Sequence, residues 1–114
     1  MVAGCRTSGT QVSASAGIVH SGKCKLVSIH MTNTQRGHAT NNNANAHQVK
    51  FTVWDNTAGS GTIVAMFMLG AGQSLEQDYH GAQMANGLFA AVDNDPHGLG
   101  GAEVGVGAIT VNFA

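Results

Sequence analysis

The chain has 114 residues, of which 10% are charged and 16 are glycine, and its formal net charge is −1. A chain of this length forms one domain that buries enough apolar surface to fold without obligatory staples. The charge excludes a global basic field that would hold nucleic acid, because such binding depends on neutralising phosphates with Lys and Arg. Low charge density also weakens self-repulsion, which favours a protein that packs against neighbours.

The N-terminus and the cysteines bear on where the protein is found. No apolar run approaches the ~20 residues that a membrane-spanning helix needs. The N-terminus lacks a secretory signal, so we expect Met1 to begin the mature chain, and the lipoprotein-like Val2-Ala3-Gly4-Cys5 has no hydrophobic stretch before it. Cys5 and Cys24 are expected to be free thiols in a reducing cytoplasm; the alternative, a disulfide, would need the first two segments side by side.

The strongest local pattern lies in residues 47–69. Val49, Phe51 and Val53 alternate with other residues, and a break rich in Asn, Gly and Ser separates them from a second alternating run that ends at Leu69. Two period-2 runs of β-branched and aromatic residues on either side of a turn predict two antiparallel strands joined by a loop.

Similar patterns predict the remaining strands. They are expected near residues 11–20, 24–33, 74–80, 88–92 and 109–113. Asn86-Gly87 predicts a turn because both residues tolerate positive φ. Residues 35–46 are Asn-rich and predict an exposed loop about twice the usual length. Residues 1–9 are expected to form an arm that orders on a partner, with residues 10–114 as the domain.

The number and spacing of these segments predict the fold class. About seven or eight short strands, with a turn roughly every ten residues, indicate an all-β, single-domain antiparallel β-sandwich, and a jelly roll is one candidate form of it. The core is expected to hold one apolar face of each strand. Its predicted members are Val27, Ile29, Met31, Val49, Phe51, Val53, Ile63, Ala65, Phe67, Leu69, Leu88, Ala90, Val92, Ile109, Val111 and Phe113.

Metal sites are not indicated by the spacing of the usual ligand types. Six histidines occur at positions 20, 30, 38, 47, 80 and 97, and none is close enough in sequence to another to present two nitrogens to one ion. Asp93, Asn94 and Asp95 offer oxygen atoms, but without the closing Glu of an EF-hand they indicate a turn. We therefore expect no metal and no other cofactor.

Catalytic patterns are equally weak. Glu76 and Asp78 share a strand face and would lie about 7 Å apart, a separation that glycoside hydrolysis uses. Such a site also needs aromatic rings around a cleft, and the chain has one Trp and one Tyr. No GxSxG elbow is present. We expect a protein that is not an enzyme.

Seven residues are candidates for contacts with other subunits. Three basic residues of the first quarter could meet an acidic patch on a partner, or could be ordinary solubilising charges. An apolar face of the central strand pair could contact another copy, because Trp and Met are enriched in interface cores, or could be buried within the domain. The candidates are Arg6, Lys23, Lys25, Trp54, Val64, Met66 and Met68.

Three segments resemble a group of small structural proteins of tailed bacteriophages. They are the K-L-x-x-I-x-x-T-N pattern of residues 25–33, the V-x-D-N-x-A-x-S-G-T-x-V pattern of residues 53–64, and the N-G-L that begins at residue 86. The similarity covers most of the chain from Cys24 onward. The Asn-rich residues 35–46 depart from the shorter hairpins that the resemblance leads us to expect.

The resemblance implies a β-sandwich virion protein that decorates or cements the capsid. It implies the major capsid protein as partner, the capsid surface as location after synthesis in the host cytoplasm, and a homo-oligomer, with a trimer favoured. It carries no binding residue over to this chain. Alternatives are a carbohydrate-binding or host-adhesion module, suggested by Trp54, Tyr79 and the Asn-rich loop, a neck or tail connector subunit, and a cupin-like enzyme, which the scattered histidines disfavour.

Overall fold

A computed structural model describes residues 6–12, 15–34, 48–96, 98 and 106–114. These residues form eight β-strands and no helix, so this part of the chain holds no helix that could cross a membrane. The strands are β1 (Arg6–Val12), β2 (Ala16–Ser21), β3 (Cys24–Asn33), β4 (Val49–Trp54), β5 (Ile63–Leu69), β6 (Ser74–Met84), β7 (Gly87–Asp93) and β8 (Gly107–Phe113).

The strands form two four-stranded antiparallel sheets. Sheet A has the order β1-β8-β3-β6, and sheet B has the order β2-β7-β4-β5. The strands pair as they would in one long hairpin that is then rolled up, and the hairpin pairs are β4–β5, β3–β6, β2–β7 and β1–β8. This topology is a jelly roll, with two sheets packed over one core. The predicted β-sandwich is therefore confirmed.

The core lies between the two sheets and follows the period-2 pattern. Thirteen of the predicted core residues are buried: Ile29, Met31, Val49, Phe51, Val53, Ala65, Leu69, Leu88, Ala90, Val92, Ile109, Val111 and Phe113. Phe67 is partly buried and packs against them. Burial of alternate side chains from both sheets supplies most of the stabilisation of such a sandwich.

Two β-bulges make the observed core differ from the predicted one. The register of β3 shifts between Leu26 and Ser28, so that Leu26 is fully buried and Val27 is only partly buried. The register of β4 and β5 shifts so that Trp54 pairs with Ile63, which is 49% exposed. An extra residue in one strand reverses the alternation beyond it. The predictions that placed Val27 and Ile63 in the core are therefore wrong.

The N-terminal boundary also differs from the prediction. Residues from Arg6 onward pair with β8, so residues 6–9 of the predicted arm belong to sheet A. The single strand predicted over residues 11–20 is the end of β1 and most of β2, which lie in different sheets. Residues 1–5 and the Asn-rich residues 35–46 lie outside the described residues.

Asp55 ties together two connections at one end of the sandwich. Its carboxylate accepts backbone hydrogen bonds from Ala85 (3.0 Å), Asn86 (2.8 Å) and Gly87 (3.3 Å). These bonds join the β4–β5 loop to the β6–β7 turn. The neighbouring Asn56 donates to the Ser60 carbonyl at 2.8 Å, which closes the β4–β5 loop on itself. The Asp55-Asn56 and Asn86-Gly87 pairs of the sequence thus help to fix the β4–β5 loop and the β6–β7 turn.

Candidate functional site

The outward side of sheet B carries three rows of side chains that run across the strands. Because Val49, Phe51 and Val53 point into the core, the residues between them on β4 point outward. The strand register extends each outward β4 residue into a row. The rows are Ile18–Phe89–Trp54–Ile63, Ala16–Ala91–Thr52–Met66 and Asp93–Lys50–Met68. We call this set of eleven residues the apolar face.

Large hydrophobic side chains on this face are open to solvent. Ile18 is 57% exposed, Ile63 49%, Met66 56% and Met68 44%. They are four of the five exposed large hydrophobic residues in the described part of the chain. Contiguous exposed apolar surface is uncommon on an isolated soluble domain and marks a site of interaction.

The first row contains a closely packed aromatic pair. Trp54 and Phe89 contact each other edge to face, with ring centroids 5.8 Å apart and an interplanar angle of 66°. A Cβ atom at Gly59 would lie 3.4 Å from Phe89 Cε1 and 3.7 Å from Trp54 Cη2, so the β4–β5 loop packs closely against both rings. The pair therefore forms a rigid, half-buried part of the apolar face.

The third row carries the charges of the apolar face. Lys50 Nζ lies 3.9 Å from Asp93 Oδ2, and both side chains are partly exposed, at 37% and 47%. A pair at this distance and exposure contributes little stability. The apolar face thus has one row with a Lys and an Asp whose charges cancel, and two rows that contain no charged side chain.

The outward side of sheet A has the opposite character. The register places Ser28, His30 and Thr32 of β3 in rows with residues of β6 and β8. Asn112 Nδ2 donates a 2.9 Å hydrogen bond to Ser28 Oγ on this side. The rows are Asn112–Ser28–Asp78, Thr110–His30–Glu76 and Ala108–Thr32–Ser74, which we call the polar face. One sheet therefore suits contact with water and the other does not.

Three of the four apolar candidates lie together on the apolar face. Trp54, Met66 and Met68 are there, whereas Val64 is the extra residue of the β5 bulge and packs partly buried against the core. Its expected place is taken by Ile63. Sequence reasoning missed Ile18 and Phe89, because only the pairing of β2, β7 and β4 brings them into the row of Trp54.

The three basic candidates gather at one end of sheet A. Arg6 pairs with Phe113, which also pairs with Leu26, the neighbour of Lys25. Lys23 lies in the short β2–β3 turn, and all three basic residues are exposed. The fold therefore brings the backbone positions of three of the five basic residues of the chain to one end of sheet A, with Arg6 on the side of the buried Phe113 and Lys25 on the opposite side.

Other chemistry has little support among the described residues. No group of three or more His, Cys, Asp or Glu side chains in that part of the chain could hold a metal ion. Glu76 and Asp78 are exposed on the polar face, where Asp78 accepts a hydrogen bond from the backbone of His80. Trp54 and Tyr79 belong to different sheets, so they form no common platform for a sugar ring.

Cys24 is a buried free thiol, and Cys5 lies outside the described residues. Burial, reinforced by the charge of Asp55, raises the pKa of the Cys24 thiol above its usual value. A buried thiol with a raised pKa is a poor nucleophile, so this residue belongs to the core and not to a reactive site.

Comparison with known proteins concerns the fold alone. No family model and no protein of curated function matches the sequence. The crystal structure of PirA is similar, with 10% sequence identity and a TM-score of 0.47 over 96% of this chain and 93% of that one. A structure described under "Bacillus endospore appendages form a novel family of disulfide-linked pili" has 12% identity and a TM-score of 0.46 over 96% and 88% of the two chains.

Proposed function

We propose that this protein is a non-enzymatic structural subunit of a larger assembly, and specifically a capsid decoration or cement protein of a tailed bacteriophage. In this role it binds the shell of the major capsid protein and stabilises it. The specific form of the proposal rests on the resemblance of the patterns in residues 25–33, 53–64 and 86–88 to phage structural proteins. The jelly roll is compatible with it but also hosts lectins and cupins, so the fold does not decide the function.

The contrast between the two outward faces is the observation that carries the proposal. Sheet A exposes hydroxyl, amide, imidazole and carboxylate groups, whereas sheet B exposes Ile and Met side chains beside a half-buried aromatic pair. A domain that stayed alone in water would gain from polar side chains on both sides. An assembly subunit needs one surface that water covers and another that a neighbour covers.

The basic cluster of Arg6, Lys23 and Lys25 is the part we assign to the capsid shell. The three charges come from β1, from the β2–β3 turn and from the start of β3, and they lie on exposed residues. Complementary charge steers association and fixes orientation on a partner surface. The proposed shell contact is therefore an acidic patch on the major capsid protein.

Purified virions test the proposal directly. Mass spectrometry of particles from the phage that encodes this chain is expected to find it in amounts comparable to the major capsid protein. Particles that lack it should break open at a lower temperature, and adding the purified protein back should restore their stability. Absence of the chain from virions, or failure of the protein to bind shells that lack it, would contradict the proposal.

Charge reversal tests the assigned shell contact. Lys25→Glu is expected to reduce shell binding by about tenfold, and by more at low ionic strength, because it replaces attraction by repulsion. Thr110→Glu adds a negative charge to the polar face of the same sheet and serves as the matched control. Equal binding by the two variants would remove the basic cluster from the interface.

A further inference from the structure

We infer that the apolar face is the contact between two copies of this chain, which pack face to face about a twofold axis parallel to the strands. The axis lies between β4 and β7, the two central strands of sheet B. The inference rests on the proposed role as an assembly subunit, and it names a second copy of the same chain as the partner of the apolar face.

Irregular edge strands favour contact through a face over extension of a sheet. In sheet A, β1 has two residues opposite one of β8 near Gly9, and β6 has three residues opposite Val27. In sheet B, β2 has an extra residue at Val19 and β5 has one at Val64. Bulges on edge strands twist them away from regular pairing with another chain. All four edges are thus poor templates for strand addition.

The proposed axis brings complementary shapes together. A twofold axis along the strands keeps each row at its level and exchanges β4 with β7 and β2 with β5. Trp54 then faces Phe89 of the second copy, and Ile63 faces Ile18. In the middle row, the long side chain of Met66 faces the small Ala16. In the first two rows, each large side chain therefore meets either another apolar side chain or a small one that leaves it space.

The same axis pairs the charges. Lys50 of one copy faces Asp93 of the other, so the interface contains two such contacts. An axis in the same plane but perpendicular to the strands would set Lys50 over Trp54 and Asp93 over Phe89. That arrangement leaves a carboxylate against an aromatic ring with no cation across the interface, which costs desolvation energy. Charge complementarity therefore selects the axis parallel to the strands.

The size of the apolar face sets the expected affinity. Four strands about 4.8 Å apart and three rows about 6.8 Å apart give an area of roughly 19 by 20 Å on each copy. Because side chains project from the sheet, the accessible surface of each copy is larger than this flat area. The surface buried on the two copies together therefore approaches about 1,000 Å², the lower limit for specific association. We therefore expect dissociation constants in the micromolar range.

A trimer would need more than this face. A threefold assembly uses two different surfaces that complement each other, whereas a twofold contact uses one surface twice. In the described part of the chain, the exposed large hydrophobic residue outside the apolar face is Val106. One isolated side chain does not make a second surface, so the structure favours a dimer over the trimer that the sequence resemblance implies.

Sedimentation equilibrium or light scattering of the purified chain tests the inference. The wild-type protein is expected to change from the 11.6 kDa monomer to twice that mass as its concentration rises through the micromolar range. Met66→Lys should weaken association by at least about tenfold, because it places a charge in the middle row. Thr110→Lys, on the polar face, is the matched control and should associate like wild type. Circular dichroism checks that each variant is folded.

Mixing two charge variants tests the orientation. Lys50→Glu sets two carboxylates against each other across the interface, and Asp93→Lys sets two ammonium groups against each other. Each variant alone should therefore associate about fivefold more weakly than wild type. In an equimolar mixture, both contacts of the mixed dimer join opposite charges. Native mass spectrometry should therefore find mixed dimers in excess over either dimer of identical chains. No excess of mixed dimers would overturn the proposed orientation.

The outcomes separate this inference from the proposed function. A wild-type chain that stays monomeric at several hundred micromolar, or a Met66→Lys variant that associates as well as Thr110→Lys, would overturn the dimer. If the monomeric chain still binds capsid shells and Met66→Lys abolishes that binding, the apolar face belongs to the shell contact and the dimer is wrong. A dimer that forms in solution but does not occur in virions would support the dimer and contradict the capsid role.

Discussion

Asp55 shows how one side chain can organise an end of the sandwich. It accepts three backbone hydrogen bonds from the β6–β7 turn while it belongs to the β4–β5 loop. Asp55→Asn keeps the shape but removes the charge and one acceptor oxygen, so we expect a loss of about 1–2 kcal/mol in the free energy of unfolding. Chemical denaturation measures the loss. Glu76→Gln, an exposed carboxylate on the polar face, should change stability by less than about 0.5 kcal/mol.

The stabilisation by Asp55 should depend on pH. Hydrogen bonds from the backbone of Ala85 and then of Asn86 hold the pKa of the Asp55 carboxyl below its ordinary value. Because the folded pKa is the lower one, this stabilisation is fully present above about pH 4 and is lost as the pH falls through the folded pKa. The stability difference between wild type and Asp55→Asn should therefore shrink below about pH 4. A difference that is constant from pH 7 to pH 2 would contradict this assignment.

Gly87 occupies a position that tolerates no side chain. Its φ is +145°, and a Cβ atom there would clash with the backbone oxygen of His20. Gly87→Ala should destabilise the protein by about 3 kcal/mol or more, because backbone strain and a steric clash add together. Gly72→Ala is the matched control: Gly72 also has positive φ (+76°) but has open space around it, so about 1 kcal/mol is expected. Thermal and chemical unfolding compare the two.

At the scale of strands and connections, Asn33 joins the two sheets. It ends β3 in sheet A, its side chain is fully buried, and its Nδ2 donates a 2.9 Å hydrogen bond to the Leu69 carbonyl at the end of β5 in sheet B. Its backbone N–H donates to Gln73, and its carbonyl accepts from Gly72. One residue thus fixes the β5–β6 turn to the end of β3.

Asn33→Ala should therefore cost about 2–3 kcal/mol, from the lost hydrogen bond and the cavity that remains. Asn112→Ala removes an amide that bonds to Ser28 on the polar face, where water can replace it, so its cost should stay below about 1 kcal/mol. Denaturant titrations of the two variants test the contrast. Similar losses for both would show that Asn33 is not a link between the sheets.

The strands could be predicted where their local alternation matches their pairing, and the bulges mark where it does not. Phe51 and Val111 are buried as their alternation predicts. Nothing in the composition around Val27 or Ile63 indicates that one residue there is extra, because a bulge depends on how the partner strands are aligned. Local sequence determines which face a side chain shares with its near neighbours, but not where that pattern breaks.

The same limit applies to the candidate site. Trp54, Met66 and Met68 were predictable because they alternate within one hairpin. Ile18 and Phe89 were not, because their places in the first row depend on pairing between strands about 35 residues apart for Trp54 and Phe89, and about 70 apart for Phe89 and Ile18. The contrast between the apolar and polar faces is likewise a property of register, which alternation in single strands does not reveal.

At the scale of the whole molecule, the two outward faces make the sandwich amphipathic. The core between the sheets is filled from both sides, and Met66 and Met68 lie outside it. Met66 and Met68 are about half exposed, and their replacement removes little buried surface. Changes at Met66 and Met68 should therefore alter association while leaving the stability of the monomer nearly unchanged.

The thermal stability of the wild-type protein should consequently depend on its concentration. Association of folded chains stabilises them by mass action, and each tenfold rise in concentration above the dissociation constant adds about 1.4 kcal/mol per dimer. For a dimer of this size the midpoint of thermal unfolding should rise by about 3 °C per tenfold increase. Calorimetry over three decades of concentration should find this slope in wild type and in Thr110→Lys, whereas in Met66→Lys it should begin at a concentration at least about tenfold higher. A flat midpoint in wild type, or a slope that begins at the same concentration in all three proteins, would show that the apolar face does not join two copies, because a contact formed only by folded chains cannot escape this dependence.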